Sequence, residues 1–89
     1  MITSRITISN KLGLHARASA KLTKLAGSFR SDIHLARAGR RINAKSIMGV
    51  MMLAAGLGAE VEIETDGPDE EQAMAALREL IDSKFGEGQ

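Results

Sequence analysis

The chain has no cysteine, so neither a disulfide framework nor a thiolate metal site is open to it, and packing alone must hold the fold. Tryptophan and tyrosine are also missing, and phenylalanine occurs only twice. Proteins that bind single-stranded nucleic acid usually stack bases on aromatic rings, so that class loses ground. The formal net charge of +1 is too small to make a nucleic-acid or membrane surface by itself. No apolar run approaches the length of a membrane span. The start, Met1-Ile2-Thr3-Ser4-Arg5, lacks the basic and apolar regions of a signal peptide. A cytoplasmic protein with no membrane insertion is expected. There is no cluster of metal ligands and no paired acid/base site. Gly56-Leu57-Gly58 is too short and isolated to be a phosphate-binding loop. Neither a metal nor a cofactor is expected, and a free-standing enzyme finds no support.

What is present suits one small globular domain. Apolar residues make up 44% of the chain and charged residues 26%. The expected domain covers residues 1–89, with 86–89 as a flexible tail after the last helix. Ile2 to Ile8 alternates with period two: Ile2, Ser4, Ile6 and Ile8 share one face, and Thr3, Arg5 and Thr7 share the other. Asn10 and Gly13 then mark a turn. From Ala16 to about Ala26 the residues favour helix, with Ala18, Leu22, Leu25 and Ala26 as an apolar stripe. Gly27 is expected to end it, and Phe29 to tuck back under the sheet.

Asp32 to Arg37 alternates again, with Ile33 and Leu35 inward and His34 on the solvent side. Ala38-Gly39 reads as a hairpin turn, and Arg40 to Asn43 as the returning strand. Ser46 is a good N-cap for a short helix, and Gly56 a plausible stop. That helix is apolar on every face. A domain this small can cover only one side, so Ile47, Met48, Met51 and Met52 are expected at the surface as an adaptable docking patch. The bland alternative is that these methionines fill gaps in the core. Glu60 to Thr65 is a strand with Val61 and Ile63 inward. Its three glutamates form a solvated face, with Arg5 or His34 across from them. Acidic residues crowd the start of a last helix, whose stripe is Ala73, Met74, Leu77, Leu80 and Ile81.

The expected order is βαββαβα. Each strand has one polar face, so the fold is α+β: a two-layer open-faced sandwich with a four-stranded antiparallel sheet and three helices on one face.

One stretch stands out for chemistry. Gly13-Leu14-His15-Ala16-Arg17-Ala18 places a histidine where a strand gives way to a helix. A helix start carries unpaired N–H groups and roughly half a positive charge, which suits a phosphate. Arg17 could hold phosphate oxygens with two N–H groups. The positive helix end disfavours the imidazolium, and only neutral imidazole attacks phosphorus. A histidine carrying a phosphoryl group is the functional reading; a plain helix cap or surface residue is the other.

Three stretches resemble the HPr family, the histidine-containing phosphocarriers of the bacterial phosphotransferase system: residues 10–17, residues 43–50, and residues 60–67 with the helix that follows. The resemblance covers about residues 1 to 85. It implies that His15 takes a phosphoryl group at Nδ1 from Enzyme I, charged by phosphoenolpyruvate, and passes it to Enzyme IIA proteins or domains. Arg17 would steady that group. Ser46 would be a regulatory site for HPr kinase/phosphorylase, and Ala20, Ile47, Met48, Met51 and Met52 would meet the partners. A monomer is expected. Ala18 stands where the family commonly has proline; alanine is itself a good helix former, so the chemistry is unaffected. A nitrogen-related phosphocarrier of a regulatory branch shares this pattern, and a non-catalytic interaction module is the reading from a different class.

Overall fold

The computed structural model describes residues 1–87. In chain order the elements are β1 (Ile2–Thr7), α1 (Ala16–Gly27), β2 (Asp32–Arg37), β3 (Arg40–Asn43), α2 (Ile47–Met52), β4 (Glu60–Asp66) and α3 (Glu70–Asp82), followed by a tight turn at Lys84–Gly86. The α+β sandwich expected from the alternation is present. The sheet order is β1-β4-β2-β3, and every neighbouring pair is antiparallel. The last strand in sequence is therefore inserted between the first and second. Its period-two pattern buries Val61, Ile63 and Thr65 and turns Glu60, Glu62 and Glu64 outward.

The inward sides of the strands and the helix stripes form one core. Ile6, Ile8, Ile33, Leu35, Val61 and Ile63 meet Ala18, Leu22, Ala26, Leu77 and Ile81, with Leu25, Phe29 and Leu80 packed partly buried at its margin. On the open face, Arg41 clasps Glu64 at 2.9 Å and Arg5 lies 3.6 Å from Glu60. His34 sits directly across from Glu64 in the register. The Arg5–Glu60 pair, exposed on both sides, contributes little to stability.

Three boundaries differ from expectation. Gly27 is helical, and α1 closes one residue later at Ser28, whose N–H donates to the carbonyls of Ala26 and Leu25. The second helix stops at Met52, well before Gly56, and Ala54 takes the left-handed conformation with φ 51°. Two arginines from the β2–β3 hairpin explain this early stop. Arg37 Nη1 donates to the Leu53 carbonyl at 3.1 Å and Arg40 Nη1 to the Met52 carbonyl at 2.7 Å, so the orphan carbonyls of the helix end are satisfied without a glycine cap. The third lies at the expected tail, 86–89, of which Gly86 and Glu87 are described. Lys84, Phe85 and Gly86 all have positive φ, at 58°, 56° and 75°. This left-handed run folds the chain back, buries Phe85 completely and brings Glu87 against the body of the protein. Residues 88 and 89 lie outside the described part of the chain.

Candidate phosphoryl site

The loop that carries His15 is held rigidly. Gly13 adopts φ 64°, and a Cβ there would come within 2.4 Å of the Ala55 carbonyl oxygen and 2.6 Å of Gly56 Cα. Only glycine permits both the conformation and the close approach. The Leu14 N–H donates to that same Ala55 carbonyl at 2.9 Å. Buried Asn10 spans the turn, its Nδ2 donating to the Gly13 carbonyl at 2.8 Å. Buried Ser19 returns its hydroxyl to the Leu14 carbonyl at 3.0 Å.

His15 occupies the N-cap position of α1 in extended conformation, and its carbonyl accepts the Ser19 N–H at 2.8 Å. The ring makes no capping bond, so the cap reading of this histidine does not hold. The side chain is about a quarter exposed, at 26%. It borders an open depression of about 570 Å³ with Lys11, Leu12, Ala16, Arg17 and Glu87. His15 and Arg17 are thus brought together at the mouth of the helix, and Lys11 adds a second cation to the same rim.

Glu87 is the member of this site that the pattern of residues did not disclose. Its Oε2 lies 2.5 Å from His15 Nε2, and its Oε1 accepts from Asn10 Nδ2 at 3.1 Å. Burial tends to raise its carboxyl, but the hydrogen bonds from His15 and Asn10 and the charges of His15 and Lys21 outweigh that and hold it below the usual glutamate range. A contact across 72 residues leaves no local signature. The only available signal was an acidic residue just past the last helix.

Ser46 caps α2 as its residue type suggests, its Oγ accepting the Gly49 N–H at 3.2 Å. Its side chain is exposed. Ile47, Met48, Met51 and Met52 are exposed too, Met48 at 67%, so these methionines are not core fillers; Met74 of α3 is the one that fills the core. Ala20 is exposed on α1. Leu12 and Leu57 are also largely exposed and enlarge the accessible apolar surface beyond the residues singled out from sequence.

A family model described as the PTS HPr component phosphorylation site matches residues 2–83. The chain belongs to the HPr family of phosphocarriers of the phosphotransferase system. It is 64% identical to the phosphocarrier protein HPr of Cupriavidus necator over 89 residues, covering all of both chains. The crystal structure of an HPr from Thermoanaerobacter tengcongensis superposes with a TM-score of 0.95 at 46% identity, over 98% of each chain. A second structure from that organism, an HPr dimer, has a TM-score of 0.79 at 46% identity and covers 98% of this chain and 100% of its own. The HPr fold therefore occurs in dimers, and the expectation of a monomer is not carried forward. Among the described residues, no helix is long and apolar enough to cross a membrane.

Proposed function

We propose that this HPr-family chain accepts a phosphoryl group on His15 Nδ1 from phospho-Enzyme I and passes it to Enzyme IIA proteins or domains of a sugar phosphotransferase system. The observation that carries this reading is a part-exposed imidazole at the start of a twelve-residue helix, unused for capping, with Arg17 on the rim of the same depression. The first-turn N–H groups and the helix dipole favour the dianionic phosphoryl group once it arrives. Arg17 supplies a further positive charge through an exposed side chain. An open site with few contacts suits a carrier, which must release what it binds. The partner completes the electrostatics when docking excludes water. Ile47, Met48, Met51 and Met52 of α2 and Ala20 of α1, all exposed, provide the docking surface.

In the same reading, Ser46 is a regulatory site for HPr kinase/phosphorylase. A phosphate there adds about −1.5 to −2 charge at a helix start, which tolerates it, yet places that charge beside the apolar patch. Docking weakens while the fold persists.

The test is transfer from labelled phosphoenolpyruvate through purified Enzyme I to the wild-type chain and to His15→Ala. The expected result is an acid-labile, base-stable phosphoryl group on the wild type alone. No label on folded wild type, with the same Enzyme I active on another carrier, overturns the reading.

A further inference from the structure

We infer that Met48, Met51 and Met52 form a reversible oxidation site, where a peroxide converts exposed thioethers to sulfoxides and so turns an apolar docking surface polar. The consequence for docking rests on the phosphocarrier reading; the chemistry of the site does not. The chain has five methionines and no cysteine, tryptophan or tyrosine, so methionine sulfur is the group that a peroxide oxidises first. Those sulfurs fall into two environments. Met74 is buried at 6% exposure, whereas Met48, Met51 and Met52 stand at 67%, 41% and 56%. Met1 is exposed as well, but lies outside this helix.

The short helix α2 collects three sulfurs that the fold does not use. Positions 48, 51 and 52 are spaced i, i+3 and i+4, so their side chains share one side of the helix. Val50 is the residue of α2 that is buried, and none of the three methionines belongs to the hydrophobic core. The helix is held by other groups. At its start Ser46 Oγ accepts the Gly49 N–H. At its end Arg37 and Arg40 donate to the carbonyls of Leu53 and Met52. An oxygen added to these side chains therefore removes no core contact and no cap, and the fold survives the modification.

The step is an oxygen transfer from a hydroperoxide. The thioether lone pair attacks the peroxide oxygen; an S–O bond forms as the O–O bond breaks. Sulfur gives up two electrons, and the peroxide is reduced to water or an alcohol. A dithiol reverses the change: the sulfoxide returns to thioether, the thiols become a disulfide and the oxygen leaves as water. The oxidised side chain is polar and chiral where it was flexible and apolar. A partner that covers α2 must then strip water from the sulfoxide oxygen, which costs affinity because the surface was shaped for apolar contact. The His15 imidazole is unchanged, so the loss falls on docking rather than on phosphoryl transfer.

The test treats full-length protein with limiting hydrogen peroxide and locates each added oxygen by peptide mass mapping. Met48, Met51 and Met52 are expected to be oxidised well before Met74, with an unchanged circular dichroism spectrum. Methionine sulfoxide reductases for the two epimers, with a dithiol as reductant, should remove the oxygens. With phospho-Enzyme I as donor, the oxidised protein should show KM raised roughly tenfold with kcat little changed, and reduction should restore it. A variant combining Met48→Leu, Met51→Leu and Met52→Leu keeps Met1, Met74 and His15; whatever its starting KM, peroxide should not move it. Oxidation of Met74 as fast as Met48 overturns the inference. So does an unchanged KM in wild type carrying all three sulfoxides, or an equal response to peroxide in the leucine variant. Selective oxidation that the reductases reverse, in a chain whose untreated form accepts no label, upholds the oxidation site and overturns the phosphocarrier reading instead.

Discussion

The starts of α1 and α2 solve the same physical problem in opposite ways. Both are helix N-termini with orphan N–H groups. At α2 the side chain does the capping, with Ser46 Oγ accepting the Gly49 N–H. At α1 the residue in the same position, His15, leaves its ring out of the cap and engages Glu87. A side chain used as a cap belongs to the fold, and modifying it adds charge to a site already structured. A side chain left out of the cap is available for chemistry, and the N–H groups beside it remain open to what it carries. The start of α3 shows a third use. Asp69 also stands at the N-cap without capping; its carboxylate reaches the α1–β2 loop, accepting the N–H groups of Arg30 and Ser31 at 2.9 Å each and the Ser31 hydroxyl at 2.5 Å.

The sharpest way to break this comparison is to place a phosphate on Ser46. If α2 only needs its cap, phospho-Ser46 protein keeps its fold by circular dichroism, yet its His15 is phosphorylated by Enzyme I roughly tenfold more slowly or worse, because docking buries the new charge. Equal rates for modified and unmodified protein would mean that the apolar patch beside Ser46 is not where Enzyme I sits. A smaller effect separates the two caps by stability. Ser46→Ala should cost about 1 kcal/mol in urea unfolding, the usual loss for an N-cap, while His15 accepts label as before. His15→Ala removes no cap, so its cost in stability should be limited to the lost contact with Glu87, about 1 kcal/mol, while labelling is abolished.

The smallest effect lies at Asp69. The Ser31 hydroxyl, then the N–H groups of Arg30 and Ser31, pull its carboxyl down to about 2. A carboxyl depressed in the folded state contributes stability that is fully present above its unfolded value, near 3.9, and is lost as pH falls through about 2. Melting temperatures measured between about pH 5 and 2 should therefore fall less steeply for Asp69→Asn than for wild type. Parallel curves would show that this carboxylate does not link the two loops in solution.

The elements themselves were largely legible in the residues. Period-two alternation located β1, β2 and β4, and helical stripes located α1 and α3, because each side of these segments meets only core or only water. The place of His15 at a strand-to-helix turn and the capping role of Ser46 were readable for the same reason: both depend on neighbours within a few positions. Helix ends were less readable. The carbonyls at the end of α2 are satisfied by Arg37 and Arg40, which arrive from another part of the chain, so the glycine expected to stop the helix was not needed.

Sequence by itself determined which segments are strands and helices, which face of each is apolar, and where a phosphoryl-accepting histidine could stand, since these follow from local sterics and periodicity. Only the tertiary structure decided that β4 lies between β1 and β2, and that the chain beyond α3 turns left-handed to set Glu87 on His15. The first is a choice among pairings that local pattern leaves equivalent. The second runs against the preference of L-residues and exists because burying Phe85 in the core offsets the strain, an outcome that residues 72 positions apart settle only once they meet.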